Sequence, residues 1–139
     1  MRLAAYWLLL ILVGILPSQM HAQNARDPLS GIWTGDWWPT PSDRNHVTIE
    51  LKWDGLKVTG EVNGTGNVAG PGTPVAPYHI KFMKTSFDPK TGAVHLEADA
   101  HARGYKVHYV ITGKLQNDSL SGTWKHDKKR GEFFLLRKR

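Results

Sequence analysis

Residues 95–109, HLEADAHARGYKVHY, bring His95, His101 and His108 together with Glu97 and Asp99. Imidazoles and carboxylates at this density suit three kinds of chemistry. They can hold a divalent metal, pass protons between an acid and a base, or pair charges on a solvated surface. A metal site needs three or four ligands converging within a supported shell. Acid–base catalysis needs a cleft and enough burial to move a pKa. The element carrying these residues decides among the three, because alternate residues of a strand face opposite sides.

That element reads as a β-hairpin. Leu96, Ala98 and Ala100 alternate with His95, Glu97, Asp99 and His101. A turn at Arg103-Gly104 sets Ala100 opposite Val107, Ala98 opposite Tyr109 and Leu96 opposite Ile111. Lys106 and His108 then join the polar face, with Asp99 opposite His108 and His101 opposite Lys106. Same-face neighbours on a strand lie about 7 Å apart and splay on a convex wall. Lys106 adds a charge that repels a cation. The expected role is therefore a wet outer face with an Asp99–His108 ion pair, and neither metal nor catalysis is assigned to it. Other catalytic patterns are missing. Ser42 and Ser121 lack a Gly-x-Ser-x-Gly context. GTGNVAGPG (64–72) lacks the Lys-Ser/Thr ending of a phosphate loop, and no helix follows it. The chain reads as a non-enzyme without a cofactor.

The same period-two logic extends along the chain. Val47, Ile49, Leu51 and Trp53 share one face before Asp54-Gly55, a strong hairpin signal. A two-residue turn there predicts Trp53 opposite Leu56, Leu51 opposite Val58, Ile49 opposite Gly60 and Val47 opposite Val62, with Lys52 facing Lys57. An Asn117-Asp118 turn pairs Leu115 with Leu120, Gly113 with Gly122 and Ile111 with Trp124. An opening strand near Gly31 to Trp38, one or two short strands between Tyr78 and Phe87, and a last strand near Glu132 to Arg137 complete about eight. The charged run KHDKKRG is read as a loop before that last strand, and the Gly- and Pro-rich stretch 64–77 as a connector or lid. Eight short antiparallel strands suggest an all-β up-and-down barrel, with a β-sandwich as the alternative. Gly60, Gly113 and Gly122 on inner faces favour the barrel, whose tight coiling needs missing side chains. Outer faces such as Thr48-Glu50-Lys52 exclude an outer-membrane barrel, which carries an apolar outer band.

The first 22 residues have the form of a cleaved signal peptide. Arg2 precedes the apolar run Leu3 to Leu16, and Pro17 and a small Ala22 follow. The run is shorter than the ~20 residues of a membrane span. The domain is then expected over 23–139, in a secreted or periplasmic setting. Loss of Arg2 from 18 Lys and Arg leaves 17 against 12 Asp and Glu, a basic balance. There is no cysteine, so disulfides, thiol catalysis and thiolate metal sites are excluded. Core packing alone must hold the fold.

GIWTG (31–35), LSGTW (120–124) and FFLLR (133–137) resemble the opening, late and final patterns of small secreted bacterial lipocalin-like, or calycin-like, barrels. The resemblance implies a barrel with a binding role and no assigned chemistry. It also implies a basic residue, Arg137 or Lys138, packed across Trp33 to seal one end by a cation–π contact. Trp33, Trp37, Trp53, Tyr109 and Trp124 are expected on inner faces, with His126 on the inner phase near a strand end. Two readings follow. The rings fill the barrel, or they line a cavity for a small apolar molecule. KHDKKR (125–130) and RKR (137–139) read first as a solubilising charge run. As a site they suit an anionic envelope component better than nucleic acid, which an exported protein seldom meets. The alternative function is an interaction or inhibitor protein acting through its loops and basic surface.

Overall fold

A computed structural model of the chain describes residues 27–66, 76–102, 105–127 and 129–139. The leader at 1–22, residues 67–75 of the Gly/Pro-rich stretch and the Arg103-Gly104 turn lie outside the described residues. The fold is all β. Eight strands, β1 (Gly31–Trp38), β2 (Asn45–Trp53), β3 (Val58–Gly66), β4 (Ala76–Asp88), β5 (Ala93–Ala102), β6 (Tyr105–Gln116), β7 (Ser119–His126) and β8 (Lys129–Arg137), follow in chain order. Each pairs antiparallel with the next, and β1 pairs with β8 to close the barrel. The sandwich alternative is thereby excluded, and no strand edge is left to template aggregation. Among the described residues no helix is long and apolar enough to cross a membrane.

Two hairpin registers match the sequence expectation. Leu115 pairs with Leu120 and Ile111 with Trp124 around Asn117, whose φ of 53° suits an Asn turn. Leu96 pairs with Ile111, Ala98 with Tyr109 and Ala100 with Val107.

Three details are corrected. In the β2–β3 hairpin, Trp53 pairs with Val58, Leu51 with Gly60 and Val47 with Gly64. The pairing is shifted because Asp54 builds a longer loop. Its Oδ1 accepts from the Leu56 and Lys57 amides at 2.9 and 2.7 Å, while Gly55 takes φ 101°. Leu56 is consequently solvent-exposed and Lys52 faces Thr59 rather than Lys57. A shift of two residues preserves which face is buried. Second, Tyr78 to Phe87 lie on one long strand, with a bulge between Phe82 and Lys84. Third, two stretches read as loops are partly strand: β8 already begins at Lys129 and pairs with His126, and within 64–77 the residues Gly64 to Gly66 pair with Ala76 to Tyr78.

The core runs through the barrel as one cluster that includes Leu51, Val58, Leu96, Leu120 and Leu135. Where strands coil tightly there is no room for a side chain: a Cβ at Gly122 would run into the Thr112 carbonyl and the Gly113 Cα.

The two barrel ends differ. At one, fully buried Leu29, from the segment before β1, and Trp33, near the start of β1, plug the opening. Trp33 Nε1 donates to the Leu29 carbonyl at 3.0 Å, and the Asp27 carboxylate caps the Leu29 and Ser30 amides. Arg137 lies over Trp33, 4.3 Å from the ring centroid, and donates to the carbonyls of Ser30 and Pro28. Its Nε reaches Asp118 at 3.1 Å. The other end, formed by the end of β1, the starts of β4 and β6 and the end of β7, is ringed by half-buried aromatic side chains.

Candidate functional site

The sequence-predicted aromatic residues separate by depth along the barrel axis. Trp33 belongs to the sealed end. Trp53 also sits there, edge-on to Phe87 with ring centroids 5.1 Å apart. Trp37, Tyr109 and Trp124 gather at the opposite end. There Trp37 meets Trp124 edge-to-face at 5.0 Å, and Tyr109 tilts against Trp124 at 6.4 Å. His126 stacks nearly parallel on Trp124, at 5.7 Å and 14°, and touches Tyr109 at 4.7 Å.

Between these rings lies a cavity of about 70 Å³ with an almost wholly apolar wall. Trp37, Tyr109 and Trp124 line it, whereas Trp33, Trp53 and His126 do not. Val47, Ile49, Val62, Ile111, Phe133 and Leu135 also line it, as does Ala98, where a small residue leaves space. Sequence reasoning missed Tyr78 and Ile80, which complete the wall. Their alternation with His79 and Lys81 was the available signal, and the bulge beyond Phe82 obscured it.

Tyr78 is the wall's main polar feature. Its hydroxyl accepts a hydrogen bond from Trp37 Nε1 at 3.0 Å. The phenol can lie there because its cross-strand partner is Gly64, at which a Cβ would collide with the Tyr78 ring and hydroxyl. Burial pushes the Tyr78 pKa above the ordinary phenol value and the Tyr109 pKa up to about 12. Both are therefore neutral near pH 7. At the rim, burial lowers the His126 pKa against a smaller opposing pull from Asp127. His126 Nδ1 is buried without a hydrogen-bond partner among the described residues, Asp127 Oδ2 being 3.8 Å away.

The His/acid cluster that opens the sequence lies outside this cavity, on the outer wall of β4–β6. His108 Nδ1 meets Asp99 at 2.7 Å and Nε2 meets Glu97 at 3.1 Å. Lys106 reaches Asp99 at 2.7 Å, and His95 and Lys84 reach Glu97 at 3.0 and 3.4 Å. The carboxylates are well covered, with side chains only 9% exposed for Asp99 and 17% for Glu97. Lys106, then His108, holds Asp99 below the usual carboxylate pKa; His95, then Lys84, does so for Glu97. Among the described residues no group of three His, Asp or Glu is arranged to hold a metal. Cations and acids satisfy one another here, which leaves no open ligand position.

No known family matches this chain, and no characterised protein or solved structure is similar enough to count as a match.

Proposed function

We propose that this protein is a secreted or periplasmic, non-enzymatic binding module whose open barrel end receives the apolar end of a small molecule. The carrying observation is the apolar cavity framed by Trp37, Tyr78, Tyr109 and Trp124. Drug-sized ligands occupy roughly 300–1,000 Å³, so a space of about 70 Å³ admits only part of one ring or a short branched alkyl tip. An engineered apolar cavity of about 150 Å³ holds benzene, so a ring entering here keeps its outer edge among the half-buried mouth rings. The lipocalin-like sequence pattern and the signal-peptide form of residues 1–22 support the same reading. So does the seal at the Trp33 end, since a cup needs its floor fixed.

The test is native mass spectrometry of the protein purified from its source compartment. We expect a reproducible added mass that Ala98→Leu, which fills the cavity from a small-residue position, removes. An apo mass that takes up nothing from an envelope extract would count against the proposal.

A further inference from the structure

The Tyr78 hydroxyl has one role filled and one open. Its oxygen accepts the Trp37 indole hydrogen, which fixes the phenol's direction. Its own hydrogen has no acceptor among the described residues, although the ring lines the cavity. Gly64 leaves the space that the hydroxyl occupies, so three strands (β1, β3 and β4) cooperate to hold it. The apolar wall beside this half-buried hydroxyl supplies no acceptor, so an acceptor on a bound molecule would complete its bonding.

We infer that Tyr78 selects the ligand: the cup takes a small, mostly apolar ring compound carrying one hydrogen-bond acceptor, such as a ring nitrogen, carbonyl or ether oxygen, which receives the Tyr78 O–H. This rests on the cavity being the binding site, and it adds the chemical class of the ligand. Trp37 acts as a positioning residue, holding the phenol oxygen so that the hydrogen turns away from the indole. Burial keeps the phenol protonated, so the donor persists across the neutral range.

Benzene and pyridine form a test pair of nearly the same shape, differing by one ring acceptor. Their affinities are measured at pH 8, where pyridine is neutral, by NMR titration of the whole protein. Desolvation of pyridine weakens it in every variant, so the readout is the pyridine-to-benzene affinity ratio. Tyr78→Phe should lower that ratio about threefold to tenfold. Gly64→Ala, which displaces the phenol without removing it, should lower the ratio in the same direction. A ratio unchanged in both variants overturns the selection role, even where benzene binds. Failure of wild-type protein to bind either compound overturns the binding cup itself, and the selection role with it.

Discussion

Replacing Arg137 by alanine removes the clamp over the sealed end, and the structure sets the size of the loss. The guanidinium stacks on Trp33 at 4.3 Å, a contact worth ~0.5–2 kcal/mol depending on desolvation. Hydrogen bonds from a charged donor to the Ser30 and Pro28 carbonyls add roughly 1.5–3 kcal/mol when buried, and less here because the Pro28 side is exposed. The Asp118 pair is mostly solvated and adds at most ~1 kcal/mol. These contacts share one side chain and overlap, so we expect a loss of about 3 kcal/mol for Arg137→Ala. Lysine keeps the charge but offers neither the planar fork nor the stack, so Arg137→Lys should lose about half as much, roughly 1–2 kcal/mol. Urea unfolding followed by tryptophan fluorescence reads both. A typical urea slope turns 3 kcal/mol into a midpoint shift of roughly 1–3 M. An alanine variant within ~0.5 kcal/mol of wild type would refute the sealing role, that being the scatter of neutral surface changes. Equal losses for lysine and alanine would refute the part assigned to residual charge.

Other perturbations follow from the same geometry. Gly122→Ala forces a Cβ against the Thr112 carbonyl, so thermal unfolding should show a loss of about 1–3 kcal/mol or an unfolded protein. Glu97 and Asp99 have depressed pKa values in the folded state, so their stabilisation is full above the unfolded carboxylate range near pH 4 and disappears as pH falls through the folded values. Glu97→Gln with Asp99→Asn should therefore flatten the acid limb of a stability–pH curve below about pH 4. His126 is also depressed, so the unfolded chain takes up its proton first. Stability should fall as pH drops from about 6.5 toward the folded value, and His126→Asn should reduce that fall in urea midpoints measured at successive pH values. Ala98→Leu should raise stability by about 0.5–2 kcal/mol in the same assay if the cavity accepts the added atoms without strain.

Much of the barrel was legible because faces and turns agreed. Leu96, Ala98 and Ala100 kept phase with Val107, Tyr109 and Ile111, and on through Leu120 and Trp124, so only one register buried all of them. At Asp54 the same logic gave the right face and the wrong register. Side-chain bonds from Asp54 to two amides stabilise a longer loop that dipeptide identity does not reveal. β4 resisted reading because its inward phase switches from Tyr78, Ile80 and Phe82 to Thr85 and Phe87 across the bulge. Depth was the harder quantity for the site. Periodicity places Trp33, Trp53 and Trp124 alike on inner faces, but their height along the axis depends on how each strand is staggered against its neighbours. Two of the five aromatic rings expected inside thus belong to the sealed end, while Tyr78 stands in the cavity wall. The coverage of Glu97 and Asp99 arises from partners on β4, β5 and β6, of which the hairpin alone supplies only part.

The most direct test of a one-mouthed apolar cup is methyl NMR of the protein during titration with benzene, because methyl groups report both ends at once. We expect shifts at Val62, Ile80 and Ile111, which line the cavity, with Val58 and Val94 near the sealed end unmoved. Methyl signals that stay still throughout, or that move at the sealed end instead, would contradict it.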